Sequence, residues 1–432
     1  MSAPPQRWHA DYALLPDGLA RDVTFEAVDG SFTAVTPGTA AGAAMRLPGI
    51  ALPGFANAHS HAFHRAMRGR THRDGGTFWT WRDAMYTVAA QLDPDSYLAL
   101  AQAVFTEMAL SGVTAVGEFH YLHHAPGGVP YDDPNAMGEA LRQAASDAGI
   151  RITLLDTCYL TGGLTADGPA PLSQAQLRFG DGAAEQWAGR VRDMRDSAGM
   201  RVGAAIHSVR AVPRDQLATV AAANTGRPLH VHLSEQPAEN EVCQAYYGMT
   251  PTAVLDAEGV LGSATSAVHA THLTDADIAT LGRTRAPACF CPTTERDLAD
   301  GIGPASALAA AGSPLSLGSD QHAVIDLIEE ARALEMHERL DSLQRGRFDP
   351  DRLLAAATNH ASLGWTAGQL APGWCADLVA VRLDSVRTAG ADPAQILLAA
   401  TAADVDTVVV GGRTVVEGGE HQLGNVGTLL RS

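Results

Sequence analysis

His59 and His61 flank a single serine in the stretch NAHSHAFHRAMRGR, Asn57 to Arg70. In an extended strand the i, i+2 spacing puts both imidazoles on one side, so two nitrogens can converge on one ion. Alone, such a triplet is weak evidence in a chain with 17 histidines. It gains weight from its company: His120, His207, His232 with Glu235, His269 with His272, and Asp320 all stand at the ends of other β-like runs. A third nitrogen from His232 and an oxygen from Asp320 complete an N/O set suited to zinc, with a position left open for water.

Each of these residues also has a plainer reading. His230, His232 and His269 could be core histidines bonded to backbone, and the side chain of His230, sharing a face with His232, is left open between the two roles. His64, His72, His123, His124, His322 and His337 read as structural or solvated, with supporting roles near the site open to His64 and His322. Cys289 and Cys291 have two-ligand spacing but no partner nearby in sequence, which favours a buried strand. Arg65, Arg68, Arg70 and Arg73 are expected to be solvated or paired with acids.

The elements that must carry these side chains alternate. Eight β-like runs occur at residues 49–59, 112–120, 151–159, 201–207, 227–235, 265–272, 286–292 and 313–320. Between them lie helix candidates at 93–112, 133–149 and 183–199, opened by Asp or a small residue and closed by Gly. Alternation of this kind predicts parallel strands with crossover helices, and eight repeats fit a (β/α)8 barrel. A doubly wound open sheet is the alternative, but no Gly-rich phosphate turn follows the first run. Barrel function gathers at the C-terminal strand ends, where the histidines stand. Residues 1–50 and 370–432 read as short β-segments broken by Gly and Pro. They are expected to pair into one small composite β-domain beside a barrel spanning 51–369.

Composition narrows the chemistry. All 30 basic residues are arginine, so Schiff-base lysine, P-loop phosphate binding and any modified-lysine site are excluded. The net charge of -18 disfavours nucleic acid and anionic membrane as partners. No apolar segment approaches the ~18 residues of a membrane span, and no targeting pattern opens the chain, so the cytoplasm is the expected compartment. Five scattered cysteines without a CxxC pair suit reduced thiols.

The stretches PGFANAHSHAFHRAM, HVHLSEQ, His269 and the GSD ending in Asp320 resemble the metal sites of the amidohydrolase superfamily, and GWCADLVAVRLD and VVVGGRTV resemble its C-terminal β-domain strands. Within it, TFWTWRDAMY, EFHYLHH, IHSVRAVP, VHATHLT, CPTTERDLADGI and GSDQHAVIDLIEEARALE together resemble the formimidoylglutamate deiminase family, from about residue 50 to 340. The resemblance implies hydrolysis of N-formimino-L-glutamate to N-formyl-L-glutamate and ammonia, in histidine degradation. It also implies one zinc on His59, His61, His232 and Asp320, because the bridging carboxylated lysine of binuclear relatives has no counterpart here. Asp320 would also take the water's proton, Glu235 would serve the leaving nitrogen, and His269 would support the tetrahedral centre. Arg82, Arg210, His207 and Tyr121, with His64, would hold a small dicarboxylate substrate, and the assembly would be a homodimer. Two positions depart from the family pattern: His64, commonly glutamine, and Gln321, commonly serine. The rival readings are another mononuclear aminohydrolase acting on a nucleobase, nucleoside or triazine, an imidazolone ring hydrolase, and a non-catalytic barrel. The last would be expected to have lost ligands that this chain retains.

Overall fold

The computed structural model describes residues 5–72 and 76–430; Arg73 lies outside them. Eight parallel strands close into a barrel: Phe55–Ser60, Val113–His120, Arg151–Cys158, Met200–Ile206, Leu229–Leu233, Thr265–His269, Ala288–Phe290 and Leu315–Leu317. Each corresponds to one of the eight β-like runs. The first run, however, serves two sheets. Its front half belongs to the strand Met45–Pro53, where Pro53 pairs with Leu378 of another sheet, and Phe55 then opens the barrel by pairing with Val113. Gly54 is the hinge, because a Cβ there would lie 2.4 Å from the Thr114 side chain. The strand thus extends three residues past the boundary expected at residue 50.

That second sheet is built from both ends of the chain. Its order is Glu420–His421, Arg413–Glu417, Val405–Val410, Leu378–Val381, Met45–Pro53, Gln6–Leu15, Gly18–Val28 and Ser31–Thr36. A core of Trp8, Val23, Phe25, Phe32, Leu47 and Leu378 packs one face, as period-2 alternation dictates.

Local sequence explains the helices around the barrel. Pro94–Leu110 opens on an Asp93 capping box closed by Ser96, and Ala136–Ala148 ends on Gly149 at φ 74°, a left-handed C-cap. The expected helix at 183–199 is shorter, Ala184–Val191. Asp196 instead accepts the Val202 N–H at 2.9 Å, and the Ser197 N–H donates to the Met200 carbonyl at 2.8 Å, so these residues serve the next strand. Inside the barrel, Leu363 and Trp365 join Ala56, Ala58, Ala115 and Val268 in a separate apolar cluster. Trp365 Nε1 donates to Thr153 Oγ1 at 3.0 Å, and Thr153 donates to the Leu363 carbonyl at 2.7 Å. Among the described residues no helix is long and apolar enough to cross a membrane.

Candidate active site

Two strand ends must meet before His59, His61 and Asp320 can share a site. The first strand ends at Ser60, and the segment after the eighth pairs with it: Asp320 N–H donates to the His59 carbonyl at 3.0 Å and His61 N–H to the Asp320 carbonyl at 3.2 Å. Gly318 permits the approach, because a Cβ there would sit 2.7 Å from the His59 Cβ. Asp320 itself adopts φ 42° and His269, at the sixth strand end, φ 68°. Such left-handed conformations are costly for residues other than glycine, and here they occur where strand ends turn into the cavity.

The four expected ligands converge. His59 Nε2 lies 3.2 Å from His232 Nε2 and 3.3 Å from Asp320 Oδ1, and His61 Nε2 lies 3.5 Å from the same oxygen. His61 Nδ1 donates to the Phe119 carbonyl at 2.8 Å and His232 Nδ1 to the His207 carbonyl at 3.0 Å. Each Nδ1–H is thereby used on the backbone, and the Nε2 lone pairs face one another. Burial lowers the pKa of all three rings, that of His61 to about 3, with neighbouring His59 adding to the effect. Neutral imidazoles with opposed lone pairs beside an ionised carboxylate are what a divalent cation requires, so the donor set fits a metal.

The remaining expected residues surround this set in a cavity of about 340 Å³ lined by His64, Arg82, Tyr121, His207, Arg210, Glu235, His269 and Asp320. His269 Nε2 stands 3.8 Å from Glu235 Oε1 and 3.7 Å from Asp320 Oδ2. Burial opposes charge on His269, but Glu235, then Glu295 and Asp320, outweigh it and hold its pKa well above the ordinary value. Burial raises the Glu235 carboxyl. His64 Nε2 is hydrogen-bonded to the Tyr121 hydroxyl at 2.8 Å, so the two cavity-facing polar groups orient each other. Arg82 rides on the helix Phe78–Ala89, with its guanidinium 5.7 Å from the Tyr86 ring centroid.

Other histidines go elsewhere. His230 is buried, with Nε2 bonded to the Ser362 carbonyl at 3.2 Å, which gives it a structural place. His120 packs by its ring against Gly138 on the outer side of the barrel, near His123 and Asp156. Asp156 is already bonded to both terminal nitrogens of Arg190 and to Trp187. His322 links Ser60 to Ser319. His72 pairs with Asp297 and His124 with Asp181. Arg65 and Arg68 pair with Glu107, and Arg70 is exposed.

Several contributors escaped the sequence reading. Glu118 accepts the Ser60 hydroxyl at 2.5 Å and the Ala62 N–H at 2.6 Å, bracing His61 from both sides. Glu295 accepts the Cys291 N–H at 2.8 Å and lies 3.4 Å from His269 Nδ1. Glu239 lies in the cavity wall, and the hairpin Gly163–Thr165 with Gly168–Ala170 contributes Leu164 to it.

The amidohydrolase family model matches residues 50–415, and the model described as formimidoylglutamate deiminase HutF, N-terminal domain, matches residues 7–48. The chain is 39% identical to the formimidoylglutamate deiminase of Pseudomonas aeruginosa, over 95% of each chain. It is 31% identical to the 8-oxoguanine deaminase of the same organism, over 85% of this chain and 83% of that one. A crystal structure of an amidohydrolase from Brucella melitensis superposes with a TM-score of 0.91 at 32% identity, covering 99% of this chain and 98% of that chain.

Proposed function

The chain belongs to the amidohydrolase family, and from that premise we propose that it hydrolyses N-formimino-L-glutamate to N-formyl-L-glutamate and ammonia. The observation that carries this reading is one cavity lined both by two arginines, Arg82 and Arg210, and by His61, His232 and Asp320 of the metal-binding set. Guanidiniums pair with carboxylates in a planar, two-point fashion, which suits a dicarboxylate substrate and not a flat neutral ring. His59, His61, His232 and Asp320 would hold a single zinc. When bound, zinc supplies Lewis acidity that brings the pKa of water toward ~7.

The chain's own residues supply the rest of the chemistry. Arg82 and Arg210, with Tyr121, His64 and His207, anchor the substrate carboxylates and aim the formimino carbon at the cavity floor. A water oxygen adds to that carbon while Asp320 accepts its proton. His269, held cationic by its acidic neighbours, stabilises charge at the tetrahedral centre. Glu235 relays both water protons, the one taken by Asp320 and that of the new hydroxyl, to the terminal nitrogen, which leaves as ammonia while the carbonyl forms. A cytoplasmic homodimer, divided into a composite β-domain and a barrel near residues 50 and 370, completes the proposal. Light scattering tests the assembly.

The deciding experiment supplies N-formimino-L-glutamate to zinc-loaded protein, follows ammonia and N-formylglutamate, and runs 8-oxoguanine alongside. Turnover of the formimino compound alone is expected. Turnover of the purine alone would replace this reading with a ring deaminase.

A further inference from the structure

Glu239 is buried in the cavity wall, and the mechanism above gives it no task. It stands in the first turn of the helix Pro237–Tyr247, just past the strand end that presents Glu235. Its Oε2 lies 3.5 Å from Arg210 Nε. Across the same guanidinium, Arg210 Nη2 lies 3.9 Å from Glu235 Oε2. Arg210 is thus placed between two carboxylates, and neither contact closes to hydrogen-bond distance. Burial opposes its charge, and among the groups that sustain that charge Glu239 ranks ahead of Glu235.

The arrangement answers a problem inherent in the site. A buried guanidinium beside the catalytic acid tends to close on it, because an ion pair relieves both desolvated charges. Such a pair would occupy the terminal nitrogens that a substrate carboxylate needs. It would also hold Glu235 ionised, unable to protonate a leaving nitrogen. A counter-charge on the Nε edge draws the guanidinium the other way.

We propose that Glu239 is a positioning residue: it holds Arg210 by its Nε edge, leaving the terminal nitrogens to a substrate carboxylate and Glu235 to proton transfer. This rests on the reading that Arg210 meets a substrate carboxylate. Burial raises the Glu239 carboxyl and Arg210 opposes it. The plainer role for Glu239 is to brace the turn before its helix, since the backbone N–H groups of Glu235 and Ser234 act on its carboxyl in the same sense as Arg210, although neither of its oxygens closes a hydrogen bond among the described residues. E239Q separates the two, because glutamine keeps an oxygen for those N–H groups and removes the charge.

The test is a double-mutant cycle of zinc-loaded wild type, E239Q, R210A and E239Q/R210A on N-formimino-L-glutamate, with glutarate affinity measured by calorimetry on the same four proteins. E239Q is expected to lower kcat/KM by ~10-fold or more, with KM raised, and to add less than ~2-fold in the R210A background. Glutarate should weaken in the same pattern. An equal loss in both backgrounds, or no loss in either, overturns the proposal while wild-type turnover leaves the functional reading standing. If wild type does not turn over the formimino compound, that reading fails, and glutarate binding alone decides: Arg210-dependent weakening supports the proposal, and unchanged or absent binding ends it. Should E239Q not fold, E239D takes its place in the cycle, withdrawing the charge by one methylene, under the same criteria.

Discussion

Asp300 shows how strongly single groups in this cavity region are displaced from their solution chemistry. Its Oδ1 accepts the Gln236 side-chain amide, while Oδ2 is buried with no hydrogen-bond partner among the described residues. Burial first, then the nearby Glu235, pushes its pKa up to about 9, with His269 acting the other way. In an unfolded chain the same carboxyl titrates near ~3.9. Between these values the folded protein holds a proton that the unfolded chain has lost, so the stability it contributes falls as pH rises. The contribution is complete below ~4 and gone once pH has passed through about 9. Asp300→Asn keeps the acceptor for Gln236 and cannot titrate. Thermal melts from pH 5 to 9 should therefore show wild type losing stability relative to the variant as pH rises. A difference between them that does not change with pH would show that Asp300 is ionised in the folded state.

At the scale of elements, the helix Phe78–Ala89 brings Arg82 and Tyr86 to the cavity, and a buried arginine ties down its C-terminal end. Arg178 donates to the Ala89 carbonyl at the helix end, to the Leu92 carbonyl at 2.7 Å, and to the His124 carbonyl at 2.8 Å in the loop that also carries Tyr121. Arg178→Met removes all of these donors at once. KM for the formimino substrate should rise ~10-fold with a smaller change in kcat, because ground-state anchoring is loosened while the floor of the site is untouched. Faster amide exchange over residues 78–92 should accompany it, and an unchanged KM would dissociate Arg178 from the anchoring groups. Nothing in sequence marked Arg178, since a lone arginine between loops reads as solvated until its carbonyl partners are brought to it. The histidine ends of the strands were legible because period-2 spacing, β/α alternation and strand-end position are local properties that share one physical meaning. The split of the first run at Gly54 was not legible. A continuous apolar run looks the same whether it serves one sheet or two, and only the partners Leu378 and Val113 distinguish them. Glu118 and Glu295 were missed for the same reason as Arg178: their value lies in the backbone N–H groups and the Ser60 hydroxyl they accept from.

For the whole molecule, the question is what joins a sheet made from both chain ends to the barrel between them. Arg151, the first residue of the third barrel strand, donates to Asp377, which immediately precedes the sheet strand Leu378–Val381. Asp377 is fully buried and also accepts the Gly411 N–H at 2.7 Å, next to the strand Val405–Val410. One carboxylate therefore ties a barrel strand to two sheet strands that arrive late in sequence. The pair need not add net stability over an apolar contact, because both charges are desolvated to form it. Breaking it from one side is different. Arg151→Met leaves the Asp377 carboxylate buried with one backbone donor, at a cost of ~3–5 kcal/mol for an uncompensated buried charge. Removing both partners in Arg151→Met with Asp377→Asn eliminates that charge and should recover much of the loss. Chemical denaturation of the two variants checks this: a single variant as stable as wild type would mean that the sheet is held to the barrel by apolar packing alone.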